Sequence, residues 1–328
     1  HSFHQGQKWN DDLSRGILDT LKDDALELHF EYMDAKRYPD TRHFENLYRL
    51  YQLKYHSHPV DVVISTDESA LDFLLEYRED LFPGASIVFC GVKYLEDNKL
   101  FGEKQITGVT EQVDIEKNIQ LMRRLNKEIK HVLVITDNSP TSISTIKSFV
   151  PLLKRFKDTI EFKFTELMTI EKLEGLVESL PSNSAILLVN YTRDRAGRIL
   201  TTSESALMIS RKSPVPVYAL WDSYLKDGIL GGLLVSGFSQ GKTAANMARA
   251  LLAGADINHI PVQKGRSGFY MFDYQQLNRF QISLSALPTD SILVNQPVSL
   301  YHQYKKLIFT VILGIFALTL IIVILSFN

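Results

Sequence analysis

Short continuous apolar runs alternate along the chain with stretches whose apolar residues recur at helical spacing. Residues 61–65 (DVVIS) and 86–90 (SIVFC) read as strands buried on both faces, and 68–77 between them as a helix. Ahead of these, 9–22 begins with Asn and Asp capping residues and sets Leu13, Ile17 and Leu21 on one helical face. Residues 28–33 (LHFEYM) alternate as a strand, and 41–55 predict a helix. The rhythm restarts after Gly108. Helices are predicted over 114–125, 142–156 and 170–179, and strands over 131–136, 161–167, 185–190, 215–220 and 231–236. Such an order defines the α/β class with parallel sheets covered on both faces, and two units of similar size imply two lobes rather than one long sheet. The pattern fades over 288–306. Residues 307–327 (LIFTVILGIFALTLIIVILSF) then carry no charge and are long enough to cross a bilayer as a helix.

Composition narrows the function classes. The chain has 328 residues and a formal net charge of -2, so nothing global argues for a nucleic-acid partner. The single cysteine, Cys90, excludes an internal disulfide and any multi-cysteine metal site. The histidines show no metal-ligand spacing, and neither HExxH nor GxSxG is present. No metal, cofactor or catalytic residue is therefore expected, and the reading is a binding module rather than an enzyme. Residue 1 is His with no signal-like stretch after it, so a removed leader or a longer parent sequence is expected. Lys305 and Lys306 beside the expected span, taken alone, favour a cytosolic domain.

Open parallel sheets bind ligands beyond the carboxyl ends of their strands. That rule selects Ser65, Thr66 and Asp67 after one strand, Gly91 after the next, and Asp137, Asn138, Tyr191, Trp221 and Asp222 in the second half. Trp9, opening the first helix, joins them as an aromatic face. Helix capping competes as the role of Thr66, Asp67, Ser139 and Ser142. Trp9 and Trp221 could equally stack on a flat ligand or seal a lobe edge. The carboxylates Asp67, Asp137 and Asp222 point to an amine or a polyhydroxylated ligand. Gly237–Thr243 (GFSQGKT) resembles a phosphate loop, but with three residues between its glycines where that motif needs four; a helix start with small packing residues accounts for it better.

Taken in order, SFHQGQKWNDDLSRGI, EYMDAKR, DVVISTDESALDFL, FPGASIVFCGV, ITGVTEQVD, GGLLVSGFSQGKTAANMARALLAG and the tail FDYQQLNRFQI…LP…NQP resemble a type I periplasmic-binding-protein domain. More narrowly, the chain is similar to the ABC-transporter substrate-binding-protein-like sensor domains of bacterial transmembrane signalling proteins. The resemblance implies two doubly wound parallel sheets joined by a three-crossing hinge, followed by one C-terminal transmembrane helix. It places lobe 1 at 1–111 plus about 237–258, lobe 2 at 112–236 plus about 259–287, a juxtamembrane connector at 288–306 and the span at 307–327. It also implies a small-molecule ligand between the lobes, a homodimer, and a soluble domain outside the inner membrane, which overrules the lysine argument. A histidine kinase or diguanylate cyclase output is expected beyond the span. The alternatives are a membrane-tethered binding protein serving an ABC transporter, a Rossmann-like nucleotide enzyme, for which the GxGxxG turn is lacking, and a domain whose cleft holds a partner protein.

Overall fold

A computed structural model of the chain describes residues 1–22, 26–93, 100, 104–265, 268–297 and 300–326. The first half runs α1 (Lys8–Thr20), α2 (Thr41–Tyr55), β1 (Val62–Thr66), α3 (Asp67–Leu81), β2 (Ser86–Val92) and β3 (Ile106–Thr110). The second contains α4 (Ile115–Leu125), β4 (His131–Ile135), α5 (Pro140–Phe156), β5 (Glu161–Phe164), α6 (Ile170–Glu178), β6 (Ser184–Leu188), α7 (Thr202–Lys212), β7 (Val217–Ala219) and β8 (Gly231–Leu234). The chain then returns through α8 (Gly237–Leu252) and β9 (Gln263–Lys264), and ends with β10 (Phe269–Asp273), α9 (Tyr274–Arg279), β11 (Ile292–Val294) and α10 (Leu300–Ser326).

Two sheets result. The first has the order β1-β2-β3-β9 and is parallel throughout; the second has the order β11-β10-β8-β7-β6-β4-β5. Within the second sheet β10 alone runs antiparallel to a neighbour, β8. The reason is the hinge: β8 leaves lobe 2 at the hinge and β10 re-enters it there, so the two must point in opposite directions. The chain passes between the lobes after β3, after β8 and after β9. Because β9 hydrogen-bonds β3 in the first sheet, the last crossing follows Lys264 instead of falling near 259. Likewise β11 pairs with β10 inside the stretch expected to be a connector, so lobe 2 extends to Val294.

Residues 28–33 do not form the expected strand. Among the described residues the backbone-to-backbone bonds of this stretch are to His1 alone: His1 N donates to Glu31 O at 2.8 Å and Met33 N to His1 O at 2.9 Å. Ser2 N in turn donates to Thr66 O at 3.3 Å, so the first two residues lie between this segment and β1. Two paired residues are too few for a ladder.

Lobe 1 is closed by α1 against α8. A Cβ on Gly241 would lie 2.2 Å from Leu13 O, and one on Gly16 would lie 2.2 Å from Phe238 O. Both glycines let two helix backbones touch, while Ser236 Oγ caps α8 by accepting from Ser239 N. The GFSQGKT segment is thus a capped, closely packed helix start. The largest core cluster includes the continuous strands β4 and β6 (Val132, Leu133, Val134, Ile186, Leu187, Leu188), all buried.

Residues Asn295–Asn328 form a separate unit. Its helix α10 has 27 residues, about 40 Å at 1.5 Å per residue. Among the described residues no helix is long and apolar enough to cross a membrane. The span expected over 307–327 lies partly outside them, at residue 327 and at the side chains of 307, 320, 321, 324 and 325.

Candidate functional site

The carboxyl ends of β1 and β2 build the lobe 1 wall. Asp67 opens α3 with φ 64°, a left-handed conformation that a non-glycine residue adopts at some cost. The turn directs its carboxyl inward, where it is buried, and Oδ1 accepts from Trp9 Nε1 at 3.0 Å. Oδ2 meets no donor among the described residues. Burial, then Glu68, push this carboxyl well above the usual carboxylate range, against the pull of the Trp9 bond. Gly91 makes room for it: φ is 72°, and a Cβ there would stand 2.9 Å from Asp67 Oδ1. Gly91 N donates to Gln240 Oε1 at 3.2 Å, which ties α8 to this wall. Thr66 is buried, with Oγ1 3.1 Å from His1 Nδ1. Ser65 is buried within the strand, and its hydroxyl has no partner among the described residues.

On the lobe 2 side, Asp137 is consumed by its own lobe. Oδ1 accepts from Ser139 N at 3.0 Å and Ser142 Oγ at 2.9 Å; Oδ2 accepts from Asn190 Nδ2 and Thr192 N, both at 3.1 Å. Burial pushes this carboxyl up, but the donors from Ser139, Thr192 and Ser142 outweigh it and hold it below its ordinary value. A carboxylate so saturated has little left to offer a ligand. Tyr191 is a core residue whose OH donates to Met168 O at 2.9 Å, and Asn138 is exposed at the tip of the Asp137 turn. Asp222 is half-buried and accepts from Gly237 N at 3.4 Å.

Of the groups that join the two walls, Trp221 and Asp222 are among the expected residues, whereas Glu111, Lys93 and Lys8 are not. Trp221 Nε1 donates to Oε1 of Glu111, a buried residue in the first crossing, at 2.7 Å. Lys93, at the end of β2, places Nζ 4.5 Å from the centroid of the Trp221 ring and 3.2 Å from Thr141 Oγ1 in lobe 2. The Lys93 amide is held by Glu68 Oε1 at 2.9 Å. Lys8 reaches the carbonyl of Asp222 at 3.5 Å. Burial pushes Glu111 up to about 7, against the attraction of Lys93 and the Trp221 bond. The sequence carried a signal for both: Glu111 lies within ITGVTEQVD at the crossing, and Lys93 directly follows the strand-end Cys90-Gly91-Val92.

The cleft therefore combines an aromatic face, buried carboxyls and an ammonium, groups suited to binding and orienting a small molecule. Cys90 is buried, and burial pushes its thiol up, away from the reactive thiolate. Among the described residues no group of three or more His, Cys, Asp or Glu side chains could hold a metal ion.

The family model for ABC transporter substrate binding proteins matches residues 10–295. Among solved structures, the chain is similar to an ABC domain in complex with L-Trp from Streptococcus pneumonia, at 15% identity and TM-score 0.64 over 89% of this chain and 97% of that one. It is similar to the ligand-free, open structure of a substrate binding protein with adhesive properties from Clostridium difficile, at 14% identity and TM-score 0.62 over 90% and 97%. It also matches the periplasmic binding protein component of the arabinose ABC transporter from Shewanella sp. ANA-3, bound to α and β-L-arabinofuranose, at 13% identity and TM-score 0.50 over 78% and 85%. At these identities the likeness is one of fold, the two-lobed α/β type I periplasmic-binding-protein fold. No curated protein matches the chain by sequence. With the family match covering most of its length, the chain belongs to the ABC transporter substrate binding protein family and is a ligand-binding domain of the periplasmic type.

Proposed function

We propose that this chain is the extracytoplasmic ligand-sensing domain of a membrane-bound bacterial signalling protein and that it performs no chemistry itself. A small molecule enters the interlobe cleft and favours one arrangement of the lobes over another. The difference in its affinity for the two arrangements sets the size of the signal. The change passes through 297–306 into a span formed by α10, and a homodimer relays it to an output module in the cytoplasm. The observation that supports a sensor over a freely diffusing carrier is the continuous α10 helix, whose segment 307–326 has no charged residue in the sequence. The exposed apolar side chains along it, Phe309, Ile315, Phe316 and Leu318 among them, suit lipid contact.

The family description favours a second reading, a membrane-tethered substrate-binding protein serving an ABC transporter. Two experiments test the ligand and the span that the sensor reading requires. A thermal-shift screen of the purified chain against amino acids, sugars, purines, polyamines and aromatic acids tests binding. A ligand at 100 times its dissociation constant adds about 2.7 kcal/mol of stability, and Trp221→Ala should abolish the shift. Reporter fusions at both ends of the chain then test topology. Opposite sides for the two reporters support a span, whereas the same side for both removes the sensor reading.

A further inference from the structure

The cleft holds four carboxyl groups; Lys93 lies within electrostatic range of Asp67 and Glu111 and rests its amide on Glu68 Oε1. Asp67 and Glu68 open α3, Glu111 lies in the first crossing, and Asp222 follows β7. They act on one another: Glu68 and Glu111 raise Asp67, while Glu68 and Asp222 raise Glu111. Lys93 is the cation that pulls both Asp67 and Glu111 down. Three further cations stand nearby, one of them the α-ammonium of His1, within electrostatic range of Asp67. Lys8 is engaged with Asp12 at 3.3 Å, and Lys36 lies within electrostatic range of Asp137, Lys93 and Asp67.

Asp67 Oδ2 is an independent sign of a ligand. Asp67 is only 5% exposed, its Oδ1 is held by Trp9, and its Oδ2 is buried with no donor among the described residues. A buried acceptor without a donor is rare in a folded protein and calls for one. Trp221 presents the other half of the site, because its ring already holds an ammonium, that of Lys93, at 4.5 Å. A protonated amine supplies what both lack, an N–H donor and a positive charge. A carboxylate ligand would meet ionising acids with like charge, and a neutral polyol would bring no positive charge to draw them into the ionised form.

We propose that the interlobe cleft recognises its ligand through a protonated amine, seated among Asp67, Glu68 and Glu111 and taking the face of Trp221 now held by Lys93. The inference rests on the reading of the cleft as the ligand site and adds the chemical class of the ligand. Lys93 is then an internal competitor, displaced toward solvent when the amine enters.

Calorimetry on the purified chain tests this with two matched probe sets: phenethylamine, L-phenylalanine, 3-phenylpropionate and 2-phenylethanol; and 1,4-diaminobutane, succinate and 1,4-butanediol. The expected result is that amine-bearing probes bind at least tenfold more tightly than the alcohol and acid of the same frame. Lys93→Met should tighten amine binding several-fold and Asp67→Asn should weaken it at least tenfold, both variants keeping the wild-type melting profile. Amine binding at pH 7 should also release protons, seen as a heat that changes with the buffer's ionisation enthalpy. Tighter binding of the acid or alcohol, or weaker amine binding by Lys93→Met, overturns the proposal. If sugars or aromatic acids from the broader screen bind while no amine does, the amine assignment falls and the ligand-binding cleft stands; if nothing binds a folded chain, both fall.

Discussion

The indole of Trp221 and the carboxyl of Glu111, 110 residues apart in sequence, meet through a hydrogen bond of 2.7 Å. One residue belongs to lobe 2 and the other to the first strand-to-helix passage between lobes. This contact therefore ties a wall of the cleft to its hinge.

Glu111 has a folded-state pKa of about 7, above its ordinary 4.5. For a raised carboxyl the folded state binds the extra proton between these values, so its contribution is fully present below the unfolded pKa and is lost as pH rises toward 7. Thermal stability should fall across that window, by an amount on the order of 3 kcal/mol for a shift of this size. Glu111→Gln, which stays neutral at every pH, should flatten the slope in melting curves recorded from pH 4.5 to 7.5. An unchanged slope in the variant would assign the titration elsewhere.

Asp137 should act in the opposite direction and in another range. Its folded pKa is depressed, so its contribution is present above the unfolded value and disappears as pH falls through the folded one. Asp137→Ala leaves Asn190, Ser142 and the amides of Ser139 and Thr192 without their acceptor. The cost should be about 2–4 kcal/mol, given the penalty for unsatisfied buried groups. Chemical denaturation reads it, and a loss below 1 kcal/mol would mean that this network relaxes readily.

Gly241→Ala should loosen lobe 1. The new Cβ would fall 2.2 Å from a backbone oxygen of α1, which cannot rotate away as a side chain could. Separation of α1 and α8 should cost about 1–3 kcal/mol, as overpacking does. Denaturation midpoints of the variant and the wild type measure it, and an unshifted midpoint would contradict the close packing.

Gly91→Ala should strain the cleft floor without touching the second lobe. Its left-handed φ disfavours a side chain, and the added methyl would press on Asp67 Oδ1, which accepts from Trp9. With only two tryptophans in the chain, fluorescence of a Trp221→Phe background reports Trp9 alone. The Gly91 substitution should change that emission, whereas a spectrum identical to the parent would show the Trp9–Asp67 bond to be insensitive to it.

Much of the first half was legible because its elements carry local signals. Residues 41–55 showed helical spacing, and α2 occupies Thr41–Tyr55, capped by Asp40. The missed elements had weaker ones. The helix α7 buries Ala206 and Ile209 amid serines, β3 contains Gly108, and β9 is two residues long. The segment 28–33 alternates correctly, yet a strand requires a partner, and periodicity does not report one. At the site, the strand-end rule selects a rim but cannot rank the residues on it.

By itself the sequence determined the α/β rhythm, the two units and the turns that carry the cleft, because capping, periodicity and backbone preference act over a few residues. Which polar groups remain free was decided by tertiary structure alone. Asp67 directly follows β1, and Asp137 follows β4 by two residues. Asp137 is saturated by Asn190 and Thr192, 53 and 55 residues away. Asp67 receives only the Trp9 indole, 58 residues away, and keeps one oxygen unpartnered among the described residues. Hydrogen-bond capacity is spent on whatever the fold brings near, and burial then fixes the charge state of what is left.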